Sequence, residues 1–243
     1  MRMKSYKTSF VASFVALIVW VGCADTGADP DTELTVNQKV AIQYFKDIAL
    51  GFEFGSASEV TRKWNRDINL FVTGEPTDLL LDELDRILED LNRLIPDSGP
   101  RLRITEESAR GNLNVFLGKG EEYAQMNSSA ANRVGANYGL FFVNFNSQNY
   151  ITSATMYVDT ERATDIQQRH LLREELTQAL GLAKDSPRYP DSIFSDSFGG
   201  VVTEYNRFDE AVIRMLYHPK MATGLDESAV DPILREIVPE VIE

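Results

Sequence analysis

Hydrophobic residues recur at spacings of three and four in several parts of the chain, a period that places them on one face of an α-helix. The clearest case is segment 77–95, in which seven Leu and Ile residues follow this spacing. Thr77 can cap its first turn, and Pro96 stands directly after its end. The same spacing predicts further helices at 36–49, 163–180, 208–217 and 227–238.

Shorter apolar stretches lie between these helical segments and have the alternation or the bounding residues that are typical of β-strands. One of them, YGLFFVNFN from Tyr138 onward, has so few polar residues that it favours a strand buried in the sheet over a ligand surface. One strand precedes the helix at 77–95 and four follow it. This order predicts a mixed domain of the α+β class. The predicted strands are 64–73, 101–105, 112–117, 138–144 and 152–158.

The first 22 residues have the character of a bacterial signal peptide. Three basic residues precede an apolar run at 10–22, which is shorter than the ~20 residues that a membrane-spanning helix needs. The run ends at Cys23, and WVGC resembles a lipobox, in which the cysteine is lipidated, although Trp20 stands where Leu is usual. A plain signal peptide or an uncleaved anchor is the alternative interpretation.

These features predict three parts of the chain. Residues 1–22 are the signal peptide, and residues 23–36 are the lipidated Cys23 with a flexible, acidic tether. Residues 37–243 form a single domain, since neither an internal repeat nor a second linker interrupts them. The domain is therefore expected outside the cytoplasm, attached to the bacterial cell envelope through lipid at Cys23.

Composition excludes several classes of function. The formal net charge of −13 is unsuited to nucleic acid or to anionic lipid, which bind clustered Lys and Arg. A single Cys excludes an internal disulfide, and two His residues are too few for a zinc site with three histidine ligands.

The helix predicted at 163–180 has the most unusual pattern of polar residues. His170, Glu174 and Gln178 are four residues apart and stack along one face, with Glu175 beside them. Gly181 follows the last turn, where glycine often ends a helix in the left-handed conformation. An amphipathic helix with a His–Glu surface pair and a glycine cap is one interpretation, and the remnant of a metal site is the other.

Residues 174–185, EELTQALGLAKD, resemble the motif HExxHxxGxxH of the metzincin zinc peptidases, and ALGL is similar to their matrixin subgroup. The glutamate of that motif, the general base of the family, corresponds to Glu175. Its three histidine positions are occupied by Glu174, Gln178 and Lys184, and Asp185 follows directly. The resemblance therefore lies in spacing and order, while the zinc-binding histidines are missing.

The resemblance extends over about residues 60–220. The family's Ser-Ile/Val/Leu-Met turn, which lies beneath the metal, corresponds to PDSIFSD, with Phe194 in place of Met, and DEAVIRMLY resembles the next helix. The resemblance implies a metzincin-like fold with a small, mixed but mostly parallel sheet, a long helix of the active-site type and a C-terminal helical subdomain. EELTQALGLAKDS and YPDSIF also resemble a bacterial family classed only as a domain of unknown function, which carries no activity over.

The remaining donors are poor ligands for zinc. Glu174 and Gln178, with Asp185 if the loop shifts, offer hard oxygen atoms, which favour Mg²⁺, Ca²⁺ or Mn²⁺. Without a metal-bound water, Glu175 has little to activate. Lys184 stands at the third ligand position. One hypothesis is that its ammonium group occupies the place of the metal and pairs with Glu174 or Glu175. The alternative is an exposed Lys near the end of a helix, where its charge is favourable.

Three functions remain open. The first is a lipid-anchored, non-catalytic domain with a metzincin-like fold, a pseudo-peptidase that binds a protein or peptide and needs no cofactor. The second is a divergent metallopeptidase with a divalent metal held by the oxygen atoms of Glu174, Gln178 and Asp185, with Glu175 as base. The third is a structural envelope lipoprotein of unrelated mixed fold. In each case the partner is unidentified, the membrane is reached through Cys23, and nucleic acid is not expected.

Overall fold

The computed structural model describes residues 34–195 and 201–243, and Leu34–Glu243 forms one compact unit. The predicted signal peptide, Cys23 and most of the predicted tether lie outside the described residues. Within the described part, none of the helices is both long enough and apolar enough to span a membrane. Its helices are α1 (Val36–Ala49), α2 (Asp78–Leu94), α3 (Gly120–Met126), α4 (Asp165–Gln178), α5 (Arg207–Tyr217) and α6 (Glu227–Val241), with short 3-10 turns at Ser108–Arg110 and Ser128–Ala130.

The strands form one sheet with the order β1-β6-β4-β2-β3, and β5 pairs with β6. β5 is antiparallel to β6, whereas the other pairings are parallel. The predicted α+β class and mostly parallel sheet are therefore confirmed. The strands are β1 (Lys63–Trp64), β2 (Ile68–Gly74), β3 (Leu102–Ile104), β4 (Leu113–Gly118), β5 (Gly139–Phe145) and β6 (Tyr150–Asp159).

The strand predicted at 64–73 is divided into β1 and β2, because a polar segment interrupts it. Within that segment, Asp67 accepts a hydrogen bond from the backbone N–H of Arg101 through Oδ1 (3.0 Å). The Asn112 side chain donates to the backbone oxygen of Asp67 (2.9 Å) and accepts from the N–H of Asn69 (2.7 Å). These side-chain bonds replace ladder bonds at the start of β2.

Helices cover the sheet in two groups. α2 and α4 pack against each other, and α4 also contacts β5 and β6. α1, α5 and α6 pack together, so the C-terminal helices form a helical subdomain that α1 joins. A second, smaller core contains the stacked rings of Tyr123 and Tyr157, whose centroids are 4.7 Å apart. α4 is thus held by helices and strands on several sides, a rigid position for the side chains that it presents.

Candidate functional site

A cleft of about 370 Å³ opens between α4 and the start of β5. The segment at Glu53 and Phe54 closes one side, and Ser195 and Val201 lie at its edge. We refer to it as the α4–β5 cleft. α4 contributes Gln167, His170, Leu171, Glu174, Glu175 and Gln178 to its lining, and the β5 side contributes residues 135–141.

The position of α4 follows from its ends and its apolar face. At its start, Thr164 and Gln167 form a capping box, and Leu172 and Leu176 are fully buried on the side facing the core. At its end Gly181 has φ = 116°, and a Cβ there would lie 2.1 Å from the backbone oxygen of Arg62. Only glycine fits, so the helix ends at this place and the chain changes direction.

Glu175 forms the base of the cleft and is 7% exposed. A Cβ on Gly139 would lie 2.4 Å from its Oε1 atom, so the absence of a side chain at Gly139 makes room for the carboxyl group. Burial raises the pKa of Glu175 well above the usual range, and the negative charges of Glu174, Asp185 and Glu53 raise it further. The general-base position of the resembled motif therefore holds a buried carboxyl group that favours its neutral form.

The raised pKa of Glu175 predicts a pH-dependent stability. The folded-state pKa of Glu175 lies above the ordinary value of 4.5, so the folded domain binds this proton more tightly than the unfolded chain does. The stability that this proton gives is fully present below pH 4.5 and is lost as the pH rises through the folded-state pKa. We expect Glu175→Gln, which is neutral at every pH, to be more stable than the wild type at about pH 8 and similar to it at about pH 4, as measured by urea unfolding. Glu121→Gln, at an exposed acid of α3, is the control and should follow the wild type. An equal gain of Glu175→Gln at both pH values would contradict the prediction.

His170 and Glu174 form a pair along the wall of the cleft. His170 Nε2 lies 3.4 Å from Glu174 Oε2, and its Nδ1 lies 2.7 Å from the backbone oxygen of Val202. Burial lowers the pKa of His170, but the hydrogen bond to Glu174 and its negative charge outweigh this and raise the pKa. His170, which matches no ligand position of the motif, is therefore part of the site.

The predicted metal ligands Glu174, Gln178 and Asp185 line the same cleft, but each has another partner. Glu174 is paired with His170, and Gln178 donates from Nε2 to Asp185 Oδ1 at 2.5 Å. In residues 34–195 and 201–243, no three His, Cys, Asp or Glu side chains are grouped so that they could hold a metal ion. The structure thus brings the three residues to one cleft, where they form two separate polar pairs, Glu174 with His170 and Gln178 with Asp185.

Lys184 does not take the place predicted for it. Its Nζ atom pairs with Glu59 Oε1 at 3.7 Å and lines a separate depression beside α1. The reason is the turn at Gly181: beyond it, the backbone N–H of Lys184 bonds to the carbonyl of Ile48 (3.2 Å), which fixes this segment against α1. The prediction that the Lys184 ammonium group pairs with Glu174 or Glu175 is wrong.

The turn at Ser192, Ile193 and Phe194 is buried beside α1 and α5. Ser192 donates from Oγ to Asp209 Oδ1 (2.6 Å), and the hydroxyl oxygen of Tyr44 lies 2.5 Å from the same Oγ. Burial raises the pKa of Asp209 to about 6. The Phe194 backbone oxygen accepts from the N–H of Ser186 (2.8 Å), which ties this turn to the segment that leaves α4. Phe194, which stands where the resembled motif has Met, is therefore a fully buried aromatic ring in a hydrogen-bonded turn.

A second depression continues the cleft along β5. It has a volume of about 210 Å³ and shares Glu53, Phe54 and Phe141 with the α4–β5 cleft. Its walls are rich in aromatic rings, and the Arg133 guanidinium group lies 4.6 Å above the ring of Phe54. We call the two depressions together the β5 groove, which has an acidic end at α4 and an aromatic end. The aromatic residues are Phe52, Phe54, Phe141, Phe142 and Phe145.

β5 presents backbone groups to this groove. Among the described strands it pairs with β6 alone, so its other edge is unpaired. Asp159 N–H bonds to the Tyr138 oxygen (2.7 Å), and Gly139 lies opposite Val158. Because hydrogen-bonded and non-hydrogen-bonded pairs alternate in an antiparallel ladder, the N–H and C=O groups of three residues point away from β6. These residues are Gly139, Phe141 and Val143.

The expectation of a buried strand at YGLFFVNFN was therefore wrong. β5 is an edge strand. The rings of Phe141 and Phe142 are half-buried, and the Arg133 guanidinium group lies 5.9 Å from the centre of the Phe142 ring. Sequence reasoning also missed Glu53 and Gly139, which reach the site from distant parts of the chain. Neither residue stands in a local pattern that indicates a site.

Comparison with known proteins gives one family. Residues 38–236 match the model of a family described as "Protein of unknown function (DUF2927)". No curated protein matches the chain.

Proposed function

The chain belongs to the family described as "Protein of unknown function (DUF2927)", and we propose that it is a non-catalytic binding domain that takes up an extended peptide segment in the β5 groove. We further propose that its fold is metzincin-like, a pseudo-peptidase in which the peptide-binding cleft is kept and the zinc histidines are lost. The observation that carries the proposal is the unpaired edge of β5, which faces a groove whose other wall is α4.

Three structural features support the metzincin-like interpretation. β2 is followed by the long helix α2, then by the strands β3 to β6, and then by α4. The antiparallel edge strand β5 faces α4 across a cleft. The residues at the degenerate ligand and base positions, Glu174, Glu175 and Gln178, all line that cleft.

The donor chemistry favours binding over hydrolysis. A catalytic zinc needs imidazole or thiolate ligands together with an open position for water. The corresponding positions hold a glutamate paired with His170, an amide bonded to Asp185 and a lysine directed toward Glu59. None of these groups offers the soft donors of that chemistry.

An unpaired strand edge is a known means of capturing a peptide. In β-strand addition, main-chain hydrogen bonds supply affinity, and pockets for alternate side chains supply specificity. Gly139, Phe141 and Val143 offer the main-chain groups, and the aromatic and acidic ends of the β5 groove offer two pockets of different character. In the same proposal, lipid at Cys23 and the acidic segment after it hold the domain at the bacterial envelope.

The proposal is tested by selecting peptides on the fragment 34–243, the compact unit that holds all described helices and strands. Random linear peptides of about ten residues, displayed on phage, serve as the probe. We expect selected peptides to bind in the micromolar range by titration calorimetry. N-methylation at alternate peptide bonds should abolish binding, whereas methylation at the intervening bonds should not, because a strand uses every second backbone group on one edge.

Hydrogen exchange of β5 amides gives a residue-level prediction. A peptide added to the edge should increase the protection of the Gly139, Phe141 and Val143 amides by about tenfold or more, because these amides have no partner on β6. The amides of Leu140 and Phe142, which face β6, serve as the internal control and should change little. NMR-detected exchange with and without peptide measures both sets. Binding that leaves the first three amides unchanged would overturn the groove as the binding site.

A further inference from the structure

Glu175 carries a carboxyl group at the α4–β5 cleft that no described side chain or backbone group pairs with. More than nine-tenths of the residue is buried, it lines the α4–β5 cleft, and no hydrogen bond to its carboxyl group is found among the described residues. The neighbouring polar groups are engaged elsewhere: Glu174 with His170, and Gln178 with Asp185. Burying a polar group without a hydrogen bond costs free energy, and a ligand group that entered the cleft would remove this cost.

The charge around Glu175 selects the type of ligand. Glu53, Glu174 and Asp185 line the same cleft, and none of the described residues that line it is Lys or Arg. His170 already shares its Nε2 side with Glu174. A negatively charged or neutral polar ligand would leave the negative charge of these carboxyl groups uncompensated, whereas a cation would neutralise part of that charge.

We propose that the acidic end of the β5 groove is a subsite for the Lys or Arg side chain of the bound peptide, with Glu175 as the group that receives its ammonium or guanidinium. This inference rests on the proposed function, since it names the residue class that the peptide must carry. It also divides the groove by chemistry: aromatic contacts hold one part of the segment, and a buried charge pair holds the other.

The shape of the cleft favours an organic cation over a metal ion. Its volume of about 370 Å³ suits a long side chain, and Phe54, Tyr138 and Phe141 supply apolar and aromatic surface beside the acids. Lys and Arg bury their aliphatic stems against such surface while their charged heads pair with carboxylates or rings. A metal ion would need its oxygen donors grouped around one point, and the described residues contain no such group of His, Cys, Asp or Glu.

The same charge argument indicates that the peptide comes from another protein. The chain's own segment 24–33 contains four acidic residues and no basic one, so the acidic end of the groove would repel it. A basic segment of a partner has the complementary charge.

The test uses the peptides selected on fragment 34–243 in matched pairs. In each pair the basic residue is kept or replaced by norleucine, which preserves the aliphatic stem and removes the charge. Binding is measured by titration calorimetry to the wild type, to Glu175→Gln and to the exposed control Glu121→Gln. We expect norleucine to weaken binding to the wild type and to Glu121→Gln by about tenfold or more, and to Glu175→Gln by less than about threefold.

Each other outcome overturns the subsite in a recognisable way. Suppose that the peptides protect the β5 edge and yet show no preference for a basic residue, or lose the same affinity on norleucine replacement with Glu175→Gln as with the wild type. Either result would contradict the cationic subsite and leave the peptide-binding function in place. Failure to select any peptide would remove both. Mg²⁺, Ca²⁺ or Zn²⁺, added alone, that binds the wild type but not Glu175→Gln would replace the subsite by a metal site.

Discussion

Gly181→Ala is expected to destabilise the domain by about 3–5 kcal/mol, from backbone strain together with a steric clash against the backbone. At φ = 116° an L-residue is strained, which alone costs about 1–3 kcal/mol. The added Cβ would also lie 2.1 Å from the backbone oxygen of Arg62, directly before β1. Since that obstacle is backbone, either β1 or the end of α4 would have to move.

Gly55→Ala separates the two causes. Gly55 has nearly the same φ, 110°, but a Cβ there would have no heavy atom within 4 Å. It should therefore cost only the strain, at the lower end of about 1–3 kcal/mol. Urea unfolding followed by circular dichroism on fragment 34–243 measures both variants. Equal losses of stability would show that the contact with Arg62 contributes nothing and would contradict our account of how α4 ends.

A shifted end of α4 should also affect the site. Gln178 lies in the last turn, three residues before Gly181, and its bond to Asp185 spans the turn that Gly181 makes. We therefore expect Gly181→Ala to weaken peptide binding at the acidic end of the groove. Gly55 lines the aromatic depression, so Gly55→Ala is a control for stability and not for peptide binding. This second readout links the conformation of one glycine to the geometry of the proposed subsite.

Local patterns in the sequence were sufficient to predict most elements that position the site. Periodicity predicted α2 and α4 close to their observed limits, and Gly181 was recognised as the end of α4 from its place after the last turn. These features depend on residues close in sequence. The motif likewise placed Glu174, Glu175 and Gln178 together, because a helix sets their relative positions.

The features that sequence reasoning missed depend on contacts between distant segments. YGLFFVNFN is apolar enough for a central strand, and only the order of strands in the sheet shows that β5 is at an edge. Glu53 reaches the acidic end through a loop attached by its N–H to the carbonyl of Ala183 (3.1 Å). Lys184 was assigned to the cleft by counting along a motif, whereas the turn at Gly181 directs it toward Glu59.

The second large effect is expected for Arg173→Leu, which removes a buried ion pair that joins α4 to α2. Arg173 bonds to Glu83 Oε1 (3.1 Å) and Asp90 Oδ2 (2.9 Å), and the side chains of Arg173 and Glu83 are only 3% and 1% exposed. Its guanidinium group also lies 4.6 Å above the ring of Tyr205. Removing one partner leaves a buried carboxylate with less compensation, at a cost of about 3–5 kcal/mol. Arg169, which remains bonded to Glu83 Oε2 at 2.9 Å, places the expected value at the lower end.

Arg86→Leu is the matched control, because Arg86 bonds to the same Glu83 carboxylate at 3.0 Å but is 53% exposed. An exposed partner contributes about 0–1 kcal/mol, so this variant should unfold close to the wild type in urea. A loss for Arg86→Leu as large as that for Arg173→Leu would show that burial does not decide the effect.

Glu83→Leu combined with Arg173→Leu should recover part of the lost stability, because it removes the uncompensated carboxylate together with its partner. Arg173 lies on α4, the helix that also carries Glu174 and Glu175 at the acidic end of the β5 groove. If the double variant recovers stability but not peptide binding, the Arg173–Glu83 pair orients α4 as well as stabilising it.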